Sequence, residues 1–184
     1  MVLACLDVDY ADESAIAGCV LFLDWKDGVP AARLTESVPS TAPYVPGSFY
    51  LRELPPLLSV LSRVREPLEA VVVDGYVWLG AEPGLGARLF AALGERVPVI
   101  GVAKSHWGGA TRHADVPPSC RALSITRGGS ARPLYVTAAG IDVERAAALV
   151  SQMHGAHRIP TLIKDVDTLV RARRPAPGVI RSKS

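Results

Sequence analysis

The chain has 184 residues, of which 49% are hydrophobic and 21% charged, with a net charge of +2. That balance excludes a disordered or fibrous protein and describes a globular chain able to bury a core without staples, most simply as one domain over residues 1–174. No run approaches the ~18 uninterrupted apolar residues of a membrane span, so neither an anchor nor a targeting segment is expected. Cys5, Cys19 and Cys120 form no CxxC, and two of them fall in apolar runs, so free thiols in a reduced, cytoplasmic compartment are expected. Residues 171–184 hold five basic residues and no acid, so +2 less five leaves −3 for residues 1–170. The tail, residues 175–184, reads as a basic, disordered segment that either tracks phosphates or only aids solubility.

In chain order, residues 2–9, 15–25 and 31–38 read as strands separated by turn residues, which predicts an antiparallel meander. A proline-rich loop follows. Leu54, Leu57, Leu58 and Leu61 then recur at helical spacing, and because Pro55 and Pro56 are tolerable only in a first turn, a helix is expected over 54–65. Residues 70–74 and 97–102 are short apolar runs suited to buried strands, and between them lies a helix over 85–93 closed by Gly94. Short strands at 121–126 and 134–137 precede a helix opened by Asp142, with Ala146, Leu149, Val150 and Met153 on its inner face, and a last helix spans about 160–172. Three antiparallel strands followed by alternating helix and strand match the ribonuclease H-like plan, an α/β fold with a mixed sheet flanked by helices.

Asp7 follows the apolar run from Val2 to Leu6, and Asp74 follows Ala70-Val71-Val72-Val73, so each is expected to cap the carboxyl end of a buried strand. Ligand crevices of open α/β sheets lie beyond those ends. If the two strands are adjacent and parallel, their carboxylates stand a few ångströms apart, a costly arrangement unless a cation lies between them. Mg²⁺ suits such a site, because it prefers oxygen ligands and needs only one or two carboxylates. Each residue also has a plain explanation: Asp74-Gly75 as a turn, Glu53 as a first-turn helix acid, Tyr44 as part of a rigid loop, Lys104 as a solvated strand end. Independent turn formers, however, have no reason to fall together on one edge of one sheet.

The chain resembles the endonuclease V family, the inosine-directed nucleases, in Leu6-Asp7-Val8, Pro43-Tyr44-Val45-Pro46-Gly47, Leu51-Arg52-Glu53, Val72-Val73-Asp74-Gly75 and Gly101-Val102-Ala103-Lys104-Ser105. Leu134-Tyr135-Val136 and Arg158-Ile159-Pro160 are weaker echoes. The resemblance implies that Asp7 and Asp74 bind Mg²⁺, with Mn²⁺ as a substitute, and that Glu53 completes the acidic site. It implies a place for Lys104 near the scissile phosphate, where it supports charge growing on the phosphoryl oxygens. Tyr44, Val45 and Pro46 would form a wedge filling the gap left by a flipped nucleotide, and Gly47 and Gly75 would let backbone approach the hypoxanthine. The partner implied is inosine-containing DNA or RNA, cut at the second phosphodiester bond on the 3′ side, as in DNA repair.

Two departures from the family pattern stand out. Residues 76–82 lack the usual histidine, and a second usual histidine aligns with Ala139 or Gly140. Asp142, close by, is a possible substitute metal ligand, although a helix N-cap is the favoured role. His106, His113, His154 and His157 show no metal-ligand spacing tied to the acids. The expected function is therefore a Mg-dependent endonuclease, a monomer without membrane association. A relative that binds inosine-containing or distorted nucleic acid without cutting it is the alternative favoured by the missing histidines. Another ribonuclease H-like nuclease is disfavoured, because a general nuclease needs no wedge.

Overall fold

The structure is a computed structural model that describes residues 1–11, 14–39, 50–108 and 116–173. Tyr44, Val45 and Pro46, the residues expected to form a wedge, together with Gly47, His113 and the basic tail, lie outside the described residues. The elements in chain order are β1 (Val2–Ala11), β2 (Ser14–Phe22), β3 (Ala32–Pro39), α1 (Tyr50–Leu61), β4 (Leu68–Asp74), β5 (Trp78–Leu79), β6 (Glu82–Pro83), α2 (Leu85–Ala92), β7 (Val99–Ala103), β8 (Leu123–Ile125), β9 (Leu134–Ala139), α3 (Val143–Gln152) and α4 (Thr161–Ala172). Seven strands join in the order β3-β2-β1-β4-β7-β9-β8, and β5 and β6 form a separate hairpin. β1, β2 and β3 make the expected antiparallel meander, and β1, β4 and β7 run parallel. This is the ribonuclease H-like plan.

The two-residue period of the strands divides the core. Leu3, Cys5, Ala70, Val72, Ile100 and Val102 pack with Ala146, Val150, Leu162 and Val166 of α3 and α4. Val2, Ala4, Leu6, Val71, Val73 and Val99 pack with Leu57, Val60 and Leu89 of α1 and α2. Continued one step, the alternation gives Asp7, Asp74 and Lys104 the α4 side of the sheet. Cys5 and Cys19 are buried free thiols on opposite faces. Among the described residues, no helix is long and apolar enough to cross a membrane.

Three expectations need correction. β1 does not end at Asp7: it runs on to Ala11 paired with β2 alone, whereas its pairing with β4 stops at Leu6↔Val73. Asp7 therefore stands at the fork where β1 and β4 separate. α1 begins at Tyr50, four residues before the expected start, which leaves Pro55 and Pro56 in its second turn. The prolines forgo hydrogen bonds to the Leu51 and Arg52 carbonyls, a loss offset by burial of Pro56, Leu57, Val60 and Leu61. In α3 the buried face is Val143, Ala146, Ala147 and Val150, with Leu149 only half-buried.

Gly18 faces Asp7 across the β1–β2 ladder, and a Cβ there would lie 2.5 Å from Val170 and 3.2 Å from Val166. The glycine lets α4 settle directly onto the strands that carry the site.

Candidate active site

Asp7, Glu53 and Asp74 line one small cavity with Leu6, Val8, Leu57, Val73 and Leu85. Its volume of about 20 Å³ suits a single water or ion. Asp7 comes from the fork in β1, Asp74 ends β4, and Glu53 enters from the first turn of α1. Burial raises the Asp7 pKa to about 6, with the Asp74 charge adding to the rise and the Val8 N–H, donating to Oδ1 at 2.9 Å, opposing it. Glu53 is raised from 4.5 to about 8, first by burial and then by the charges of Asp7 and Asp74. A helix N-terminus favours a carboxylate by only about 0.3–1 kcal/mol, under one pKa unit, so burial and repulsion prevail over the dipole. These acids are held together at a cost that no group among the described residues relieves in full.

The backbone after Asp74 is set by tight contacts. Gly75, at φ 125°, turns the chain, and a Cβ added to Gly101 would meet Gly75 O at 2.6 Å, Val77 N at 2.8 Å and Thr137 Oγ1 at 2.9 Å. Only a glycine in β7 allows this crossing, which the buried Val77 N–H secures by donating to Thr137 Oγ1 at 2.8 Å. Tyr76 donates its hydroxyl to Ser105 O at 2.8 Å and accepts from the Trp107 N–H at 3.0 Å, tying the turn after Asp74 to the turn after Lys104. The Lys104 ammonium pairs with Asp74 Oδ2. With the lysine 43% exposed, that ion pair contributes little stability, and its value is in position.

A cleft of about 430 Å³ begins beside these turns, walled by Tyr76, Trp78, His106, Trp107, Arg121 and Tyr135. Its walls start two residues beyond Asp74 and two beyond Lys104. His106 meets Tyr135 edge to face at 5.3 Å, and the Trp78 indole N–H donates to Ala138 O at 2.8 Å. Sequence reasoning missed this cleft because its aromatics come from separate segments with no shared period. A Cβ at Gly75 would meet nothing within 4 Å, so its surroundings are open.

The structure does not bring Asp142 to the acids. β9 runs antiparallel to β7, with Tyr135 opposite Ala103 and Ala139 opposite Val99, so the chain leaves β9 at the far end of the sheet. Asp74 pairs at the level of Val102, three residues away, or about 10 Å along the sheet. There Asp142 caps α3, accepting from the Arg145 N–H at 3.1 Å. Ala139 and Gly140 share that far end. The residue that sequence reasoning missed is Asp167 of α4, whose charge adds to the rise in the Asp7 pKa while its own carboxylate pairs with Arg171 at 2.9 Å. His154 bonds Thr161 and His106 lines the cleft. Among the described residues, no group of three or more His, Cys, Asp or Glu side chains is placed so that together they could hold a metal ion. Mg²⁺ does not require one, since waters and substrate oxygens complete its shell.

The Endonuclease V family profile matches residues 1–168. An Endonuclease V of Nocardia farcinica is 29% identical over 185 residues, covering 94% of this chain and 81% of the relative. The crystal structure of an Endonuclease V from Streptomyces avermitilis superposes with a TM-score of 0.74 at 26% identity, covering 94% of this chain and 80% of that one. A Ciona intestinalis Endonuclease V in complex with a 23mer DNA containing an inosine followed by a ribo-adenosine shares the fold, with a TM-score of 0.77 at 19% identity over 93% of this chain and 84% of that one. A profile match over nearly the whole chain, on the fold that places Asp7, Glu53 and Asp74 around one cavity, shows that this chain belongs to the endonuclease V family.

Proposed function

We propose that the protein is a Mg²⁺-dependent endonuclease that recognises inosine, or deaminated adenine, in nucleic acid and hydrolyses a phosphodiester bond on its 3′ side, in DNA repair. The observation that carries this reading is the convergence of Asp7, Glu53 and Asp74 on one small cavity, with Lys104 paired to Asp74; burial and mutual repulsion there raise Asp7 and Glu53. The residues fit a hard divalent cation: all donors are oxygens, and their mutual repulsion is relieved by a positive charge. Asp7 and Asp74 would hold the ion, with Glu53 directly or through water and Asp167 as a further carboxylate nearby. When bound, the ion supplies Lewis-acid polarisation and an activated water.

The chain's own groups do the rest. Lys104 already lies on Asp74, where its ammonium can follow a phosphate oxygen and support the charge that grows there. Tyr44, Val45 and Pro46 are proposed as the wedge that replaces the flipped nucleotide in the stack. Gly47, Gly75 and the aromatic cleft beyond Tyr76 receive the base, with cleft walls that offer stacking faces and space larger than a purine. Either DNA or RNA satisfies this chemistry, and Mn²⁺ should replace Mg²⁺.

Incubating the protein with end-labelled inosine-containing oligonucleotides, with Mg²⁺ and with EDTA, tests the reading. The expected result is one metal-dependent nick 3′ to inosine and none in the adenosine control. Binding to the inosine strand without a nick would replace this reading with that of a non-cutting binder. The absence of histidine from residues 76–82 is the observation that favours such a binder.

A further inference from the structure

We infer that Arg158 is a positioning residue for Lys104, clamping the lysine's backbone where the sheet can no longer hold it; this rests on the reading of Lys104 as the cation beside the scissile phosphate. The β7–β9 ladder ends at Ala103↔Tyr135, two residues after Pro133, which has no N–H to donate to a further rung. Lys104 therefore leaves the sheet at the point where its ammonium must be aimed. The Arg158 guanidinium bridges this gap, its Nη2 donating both to Lys104 O and to Pro133 O, the latter at 2.6 Å. One planar nitrogen thus joins the ends of both strands, a geometry that a lysine ammonium on a flexible stem reproduces only in part.

Arg158 is itself held from behind. Arg127, only 8% exposed, donates from Nη1 to His157 O at 3.2 Å and to Arg158 O at 3.4 Å, from Nε to Ser151 O at 3.4 Å, and from Nη2 to Met153 O. The end of α3 is in this way connected through two guanidinium groups to Lys104. Two further observations separate Arg158 from an ordinary surface arginine. None of the ion pairs among the described residues includes it, and its Nε is buried without a hydrogen-bond partner. A buried donor left unpaired costs stability, so this site keeps an arginine despite a local penalty and without the return of a salt bridge. On the opposite side, Tyr76 holds Ser105 O and the Trp107 N–H. Residues 104–107 are therefore gripped from both flanks, and Arg158 supplies the flank that the proline removed.

The test compares Arg158→Met and Arg158→Lys with wild type in two measurements. The first is amide hydrogen exchange, which needs no activity. Exchange should quicken at residues 104–107 while β1 and β4 keep wild-type protection. The second is nicking of an inosine-containing oligonucleotide with Mg²⁺, where kcat should fall roughly 10- to 100-fold with KM little changed, the signature of a displaced catalytic group rather than lost substrate binding. Arg158→Lys should restore part of each, and it is the deciding variant if Arg158→Met does not fold. Unchanged exchange at 104–107, or loosening spread evenly through the sheet, overturns the clamp, as does a rise in KM with kcat unchanged. If wild type shows no nicking, the function proposed above fails, and exchange still decides whether Arg158 holds Lys104.

Discussion

Asp7 and Asp74 stand at one end of the sheet and Asp142 at the other, and the energetic position of the two groups is opposite. Asp142 caps α3 by accepting the Arg145 N–H, so a local bond accounts for its place in the chain. Asp7 accepts the Val8 N–H yet is still driven up to about 6 by burial and by Asp74, and Glu53 beside it reaches about 8. No local structural need explains holding three acids where they repel one another. A polar residue already satisfied by its own backbone is read as structure; a set whose members raise one another's energy is read as a site waiting for a charged partner.

The largest effect that tests this comparison is on catalysis. Asp7→Asn or Asp74→Asn should reduce nicking by at least about 10³-fold, because loss of an ionic ligand forfeits several kcal/mol of transition-state stabilisation. Metal-free Asp7→Asn should melt higher than wild type by roughly 2–4 °C for each kcal/mol of repulsion relieved. Nicking retained by either purified variant would refute the site.

Recognition should show the next largest effect. Tyr44→Ala should weaken binding to inosine-containing duplex by about 1–3 kcal/mol and binding to a single strand by less, since only the duplex must be unstacked. Equal losses on both substrates would return Tyr44 to a surface-loop role.

Asp142→Ala sharpens the contrast from the other end of the sheet. It should cost about 0.5–2 kcal/mol of stability and leave Mn²⁺ affinity, measured by calorimetry, at the wild-type value. Weakened metal binding in that variant would mean that the two ends are not independent.

The pH dependence of the metal-free protein tests the acid cluster separately. Between the ordinary Asp value of 3.8 and about 6, folded Asp7 holds more proton than the unfolded chain, and Glu53 does the same from 4.5 to about 8. Stability therefore falls as pH rises between about 4 and about 8, and saturating Mg²⁺ should flatten that slope. Thermal melts across this range check the sign. Glu53→Gln should remove the upper part of the slope, and a melting temperature rising with pH in the metal-free protein would contradict the acid cluster.

Much of this site was legible in the residues because its parts sit at ends of strongly patterned segments. Apolar runs that stop at Asp7, Asp74 and Lys104 make strands, and once β1, β4 and β7 lie parallel the three must share an edge. Glu53 was legible for the same reason, although the start of α1 was misplaced because prolines were confined to a first turn. The exposed lining residues of the cleft carry no periodic signal, and Tyr76 gave no warning that its hydroxyl would secure the turn after Lys104.

What the amino-acid order determined by itself was the mixed sheet with helices on both faces and the edge on which the acids fall, since a two-residue period and a terminal charge are local properties of the chain. Only the tertiary structure decided which distant residues join that edge. Asp167 reaches Asp7 because Gly18 lets α4 lie close on β2; Asp142 is excluded because β9 runs antiparallel to β7; Arg158 meets Lys104 across 54 residues because Pro133 ends a ladder. Each of these outcomes depends on how elements distant in sequence pack, and pattern within a segment carries no record of its neighbours in space.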